Sequence, residues 1–213
     1  PAGKLRWKRR VEIFKDFIGN ENKKILEIGC GTGLFTSEIA STNNQIIAID
    51  ISEDLLEIAK KKVNKKNVTF QIDNAYKSSF KSNSFDYVIG SSVLHHLDTD
   101  LALQEFFRLL KDGGKIIFTE PNMLNPQIAI QKNIPFIKKA VGDSPDERAF
   151  IKGPLEKKLK KYGFKNIEIV NFDFLHPAIP GWMLPVMERI ALMVEKIPLM
   201  RAISGSLIIK ASK

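Results

Sequence analysis

Apolar residues in this chain follow two rhythms. Seven short stretches carry them in near-continuous runs: "KKILEIG" (23–29), "QIIAID" (45–50), "VTFQID" (68–73), "FDYVIGS" (85–91), "KIIFTEPN" (115–122), "NIEIVNFDF" (166–174) and "GSLIIKAS" (205–212). Runs of that length, rich in Ile and Val and bounded by Gly, Asn or Asp, predict buried strands. Between them the spacing changes to that of a helix. Leu5, Val11, Phe14 and Ile18 recur at helical intervals over residues 4–18, and a second helix is expected from Gly33 to about Ala40. Ser52 can cap a third helix, with Glu53 and Asp54 in its first turn and lysines at its end, charges that complement the helix dipole. A fourth is expected from Asp98 or Thr99 to Lys111, stopped by Gly113-Gly114, and a fifth over "GPLEKKLKKYGF" (153–164).

Strands alternating with helices, with strand interiors apolar throughout, predict an α/β fold: a doubly wound, seven-stranded, mostly parallel sheet covered on both faces. A ligand in such a sheet binds beyond the carboxyl ends of the strands. The whole chain, 1–213, reads as one domain. Segments 123–150 and 175–204 interrupt the alternation and are expected to be insertions forming a substrate lid over that face.

Composition changes this picture little. The chain has 213 residues, 44% hydrophobic and 27% charged, as expected for a globular domain with a sizeable core. Its single cysteine, Cys30, excludes an internal disulfide framework and suggests a reducing, cytoplasmic setting. No signal peptide is recognised, and a start at Pro1 suggests that residues have been trimmed. Net charge is +9, mostly from lysine. Solvated faces such as Lys60-Lys61-Lys62 and Lys157-Lys158 account for part of it, and attraction to an anionic membrane surface is a second reading. Nucleic acid is disfavoured, because arginine is scarce and aromatics are not interleaved with the lysine runs.

The first strand ends in "ILEIGCGTG" (25–33), with glycines on alternate positions. Bare backbone there lets the chain turn sharply and lie against a ligand, and N–H groups at the following helix favour an anion. The spacing is G-x-G-x-G, not the G-x-G-x-x-G of dinucleotide sites. Asp50 closes the second strand, where a short acid can chelate two ribose hydroxyls, and Ile51 follows it. The stretch "QIDNAYKSSFKSNSFDYVIGSSVLHHL" (71–97) and then "FRLLKDGGKIIFTEPN" (107–122) complete an ordered set.

These motifs closely resemble class I S-adenosylmethionine-dependent methyltransferases, particularly the small-molecule group called methyltransferase type 11. The resemblance covers about residues 20–122, with a looser fit over 151–174 and 205–211. It implies a Rossmann-like methyltransferase fold, S-adenosylmethionine as cofactor and S-adenosylhomocysteine as product. By that resemblance the cofactor contacts are Glu27, Gly29, Cys30, Gly31, Gly33, Asp50, Ile51, Asp73, Asn74, Ala75 and Ser91. Glu27 or nearby backbone carbonyls would meet the amino group, Asp50 the ribose, and Asp73 or Asn74 the adenine amine.

His95 and His96 follow the fourth strand, where an acceptor would approach. Either can take a proton near neutral pH, and His96 is slightly preferred; holding the loop is the alternative role. Glu120, Asn122 and Asp143 are further polar candidates. The Asn/Asp-Pro-Pro-aromatic motif of nucleic-acid amine methylation is replaced by Ser91-Ser92-Val93-Leu94, and Cys30 sits in the cofactor turn rather than beside an acceptor. No run of Cys, His (the third being His176) and carboxylates predicts a metal site. A nicotinamide-dependent reductase is a rival reading, weakened by the glycine spacing and the lack of a Tyr-x-x-x-Lys pair; a non-catalytic cofactor-binding scaffold is another.

"GWMLPVMERIALMVEKIPLMR" (181–201) places Met183, Val186, Met187, Ile190, Val194 and Ile197 at helical spacing. It can be a helix packed on the core, a lid over an apolar substrate, or a helix lying on a membrane surface with Trp182 as anchor. The last two point to a small, hydrophobic or lipid-linked acceptor methylated at oxygen, carbon or nitrogen.

Overall fold

The computed structural model describes residues 2–140, 142, 147–174 and 179–213. Among these, strands β1 (Lys24–Ile28), β2 (Gln45–Asp50), β3 (Val68–Ile72), β4 (Phe85–Ser91), β5 (Leu110–Pro121), β6 (Lys165–Phe172) and β7 (Ser206–Ser212) form one sheet in the order β3-β2-β1-β4-β5-β7-β6. All neighbouring pairs are parallel except those of β7, which runs antiparallel to both β5 and β6. This is the expected doubly wound, mostly parallel α/β sheet. The strand order reverses between β1 and β4, so the crevice beyond their carboxyl ends is the site such a topology provides.

The helices flank the sheet as their apolar stripes require. Helix α1 (Ala2–Ile18) buries Val11, Phe14 and Ile18 against one face together with α2 (Leu34–Ile39) and α3 (Glu53–Lys62). Helices α4 (Thr99–Leu109) and α7 (Lys152–Lys161) cover the other, where Phe106 stacks on Phe118 of β5 at 5.3 Å between ring centroids. Ser52 Oγ accepts from Leu55 N and caps α3; Asp98 Oδ1 accepts from Asp100 N and Leu101 N and caps α4.

Helix α4 ends earlier than its sequence suggests. Leu110 already pairs with Phe85, and Gly113-Gly114 lies within β5, where a bulge separates the Phe85 and Tyr87 registers. The glycines absorb a strand irregularity instead of capping a helix.

The two interrupting segments hold α5 (Pro126–Asn133) and α6 (Pro135–Ala140), then α8 (Leu184–Val194) and α9 (Pro198–Arg201). They meet where Asn122 Nδ2 donates to Ala202 O and Ser204 O, and Asn125 Nδ2 donates to Ile203 O. Of the apolar stripe on α8 only the neighbouring Ala191 is buried; Val186 and Ile190 face outward with Trp182 and Leu199. Among the described residues the stripe is thus only partly covered, with Met183, Met187 and Val194 half-buried. No helix among the described residues is long and apolar enough to cross a membrane.

Candidate active site

The glycine turn leaves β1 with Gly29, Gly31 and Gly33 all in the left-handed region, at φ 63, 52 and 72 degrees. A Cβ on Gly29 would stand 2.4 Å from Val93 Cγ2, so only glycine lets the turn pass under the loop after β4. A Cβ on Gly31 would meet nothing within 4 Å, which leaves open space above its backbone. Asp50 fixes the turn from the side: Oδ2 accepts from Gly31 N at 2.8 Å and Oδ1 from Ser52 N at 3.0 Å. Each carboxylate oxygen keeps a lone pair for a diol. Beside it, Ile51 is 79% exposed, an apolar wall against which a flat base can lie.

Glu27 is the unusual group of this site. It lies on β1, buried between β2 and β4, and its Oε2 has no hydrogen-bond partner. Burial pushes its carboxyl up to about 8. The adjacent Thr36 hydroxyl is itself buried without a well-aligned partner, and it opposes that shift too weakly to cancel it. Glu27 lines a small cavity of about 260 Å³ with Trp7, Arg10, Gly29, Cys30 and Ser91. A buried acid without a partner, facing a bare-backbone cradle, suits a ligand ammonium group. Burial likewise pushes the Cys30 thiol far up, so it is no nucleophile.

The loop after β3 separates the two adenine candidates. Asp73 spends its carboxylate on its own loop, accepting from Ser78 Oγ, Ser79 N and Ser79 Oγ. Asn74 is exposed, with Oδ1 accepting only from Tyr76 N. The Glu105–Arg108 pair of α4 holds this loop: Glu105 accepts from Ser78 N, and Arg108 donates to Phe80 O. Ala75 is buried beneath it.

Past β4, a 3-10 turn carries Leu94, His95 and His96. Glu120 of β5, 1% exposed, accepts from Val93 N and Leu94 N, and His95 Nδ1 lies 2.6 Å from its Oε2. Nδ1–H donates to that carboxylate, so the neutral ring carries its lone pair on Nε2. His95 borders two cavities, of about 350 and 690 Å³. The first is also lined by Arg10, Gln127, Gln131 and Lys132; the second by Tyr76, Leu97, Phe150 and Leu155. His96 is half exposed, and burial together with the neighbouring His95 lowers its pKa from the ordinary value.

Sequence reasoning missed three features. Glu120 was one of several polar candidates, but its grip on His95 joins the ends of two strands, 25 residues apart. Glu147 reaches His96 from the first insertion, so His95, His96 and Glu147 hold three possible metal-ligand atoms within 4.8 Å; Lys132 Nζ, 2.7 Å from Glu147 Oε2, balances that carboxylate. Arg10 carries no motif that marks it in the sequence, yet its Nη1 reaches Ser91 Oγ and Ser92 Oγ at 3.2 and 3.1 Å. Asn122 is buried and structural, bridging to the second insertion. Asp143 and His176 lie outside the described residues.

Residues 26–118 match the family described as "Methyltransferase domain". A demethylmenaquinone methyltransferase of Lactococcus lactis is 33% identical over 169 residues, covering 68% of this chain and 66% of the relative. A protein of the same name from Staphylococcus aureus is 29% identical over 189 residues, 78% of this chain and 77% of the relative. Among solved structures, phosphoethanolamine N-methyltransferase 2 of Haemonchus contortus in complex with S-adenosyl-L-methionine aligns with TM-score 0.69 at 24% identity, over 97% of this chain and 52% of that one. A SAM-dependent methyltransferase from Archaeoglobus fulgidus aligns with TM-score 0.67 at 21% identity, over 100% and 95%. The chain thus spans about half the length of the Haemonchus enzyme and about two thirds of the Lactococcus protein.

Proposed function

The chain belongs to the class I S-adenosylmethionine-dependent methyltransferases, and from that premise we propose that it methylates a small, apolar or lipid-linked acceptor held beside His95. The observation that carries the cofactor half is Glu27: a buried carboxylate lacking a partner for one oxygen, at the lip of the glycine cradle. In this reading Glu27 meets the cofactor's amino group and the backbone around Gly31 lies along its methionine chain. Asp50 takes the ribose hydroxyls. Ile51 flanks the adenine, and Asn74, whose side chain is less committed than that of Asp73, meets the adenine amine. When bound, S-adenosylmethionine supplies an electrophilic methyl on a sulfonium, transferred in line and leaving S-adenosylhomocysteine. The protein's task is then to position the acceptor and exclude water.

An acceptor that must lose a proton needs a base. His95 fits that role better than His96. Its Nδ1 is held by buried Glu120, which orients the ring and stabilises the imidazolium formed when Nε2 takes the proton.

The acceptor class rests on two supports. The relatives from Lactococcus and Staphylococcus are named for demethylmenaquinone. Both insertions are rich in outward-facing apolar side chains, with Phe136 81%, Trp182 82% and Leu199 82% exposed. These segments, with Lys138, Lys139, Arg189, Lys196 and Arg201 among them and a chain charge of +9, suit contact with an anionic membrane surface from which an apolar acceptor is drawn. The insertions then act as the acceptor's lid.

The test is turnover with methyl-labelled S-adenosylmethionine against lipid and aqueous cell extracts. Label passing into the lipid fraction, with S-adenosylhomocysteine released, supports the proposal. Label entering only water-soluble products removes the acceptor half. Cofactor binding without any transfer favours the non-catalytic scaffold.

A further inference from the structure

Arg10 sits where a surface helix would not need an arginine. It projects from α1 to the carboxyl end of β4, and its Nε is buried without a hydrogen-bond partner. Its Nη1 is held by two hydroxyls, Ser91 Oγ and Ser92 Oγ, neither of which carries charge. Among the described residues no carboxylate pairs with it; the acids of its neighbourhood are engaged elsewhere, Asp173 with Arg6 and Glu120 with His95. Burial and the neighbouring Arg6 both lower its pKa. A half-buried guanidinium that is left without an anion carries a desolvation cost.

The same small cavity holds the opposite defect. Arg10 and Glu27 both line it, with the bare turn at Gly29 and Cys30 between the β1 and β4 ends. The cavity is thus bordered by a guanidinium whose Nε lacks a partner and by a carboxyl whose Oε2 lacks one. A ligand carrying both an ammonium and a carboxylate on one carbon satisfies the two together.

We propose that Arg10 binds the α-carboxylate of the cofactor's amino-acid tail while Glu27 binds its α-ammonium, so that α1 is a working part of the cofactor site. This rests on the cofactor reading given above. It also connects the cofactor to the second insertion. Arg9, the next residue of α1, pairs with Glu195 at 2.7 Å, and Arg6 pairs with Asp173, whose N–H donates to Glu195 Oε1. Seating a carboxylate on Arg10 fastens the helix that holds the end of α8.

The test is calorimetric titration of the wild-type protein and of Arg10→Gln and Arg10→Lys with two ligands: S-adenosylmethionine and its decarboxylated analogue, which keeps the amine and the sulfonium. A charge-assisted pair of this kind is worth roughly ten- to hundredfold in affinity. The wild type is expected to prefer the carboxylated ligand by that factor. Arg10→Gln should lose most of the preference while binding the decarboxylated analogue about as tightly as the wild type, and Arg10→Lys should fall between. Equal binding of the two ligands by the wild type overturns the proposal without needing any variant to fold. So does an undiminished preference in Arg10→Gln, which would give the carboxylate to another group and leave Arg10 to the acceptor. Failure of the wild type to bind either ligand would instead remove the cofactor reading itself.

Discussion

Replacing Glu27 by Gln isolates the buried carboxyl on which the cofactor site turns. Gln copies the shape of the protonated acid and cannot ionise. Burial raises the Glu27 pKa from 4.5 to about 8 in the folded protein. The folded state therefore holds this proton more tightly than the unfolded chain does. The resulting stability is fully present below the unfolded value and is lost as pH rises through the window from 4.5 to about 8. Each pH unit in that window is worth about 1.4 kcal/mol, so the total approaches roughly 5 kcal/mol. Without ligand, wild type and Glu27→Gln should melt together near the bottom of the window. They should then diverge, with the variant the more stable by on the order of 10 °C at pH 8.5. Ligand reverses the order of advantage. An ammonium group in the cavity needs the ionised carboxylate, so binding below pH 8 expels the Glu27 proton and wild-type affinity climbs with pH. The variant should show no such slope and should bind roughly ten- to hundredfold more weakly at pH 8. Differential scanning calorimetry across pH, with titrations in buffers of different ionisation enthalpy, reads both effects. Parallel melting curves for the two proteins from pH 5 to 9 would refute the reasoning, since they would mean that Glu27 is solvated or already paired.

Three further outcomes follow from the geometry. His95→Gln should lower kcat by about 10²- to 10⁴-fold for an acceptor that must lose a proton, leaving cofactor affinity within about twofold; Glu120→Gln should move the pH–rate profile and rescue less than full activity, and unchanged profiles in both would return the role to His96 or to no base. Gly29→Ala should prevent the turn from closing under Val93, costing about 1–3 kcal/mol and most of the cofactor affinity, because the added methyl lands 2.4 Å from Val93 Cγ2; wild-type binding by a folded variant would contradict the packing. Trp182→Ala with Leu199→Ser should weaken sedimentation with anionic vesicles at least tenfold while sparing cofactor binding, and equal sedimentation of both proteins would dismiss the membrane surface.

Much of the fold was legible because it is local. The strands announce themselves as apolar runs, and Ser52 and Asp98 cap the helices their sequence predicts. The glycine turn and Asp50 were legible for the same reason: each needs its residue type at one place on a strand end. What was not legible depends on distant partners. Gly113-Gly114 reads as a helix stop, yet Leu110 pairs with Phe85 and draws the region into β5. The α8 stripe has the spacing of a core helix, and spacing alone cannot say that Val186 and Ile190 stay exposed. His95 and His96 look equivalent until Glu120 is seen to hold only the first of them at hydrogen-bond distance. Arg10 lies 17 residues before Glu27, in a helix whose charges resemble any solvated face; only the folded chain puts both on one cavity.

In the proposed function, the cradle at the end of β1, with the acid at the end of β2, receives S-adenosylmethionine. Calorimetric titration of the wild type and Asp50→Ala with S-adenosylhomocysteine tests it most directly. A one-to-one complex is expected for the wild type, with affinity weakened about a hundredfold in the variant, which loses both the ribose partner and the anchor on Gly31 N. No heat of binding from the folded wild type, or identical isotherms for the two proteins, would contradict it.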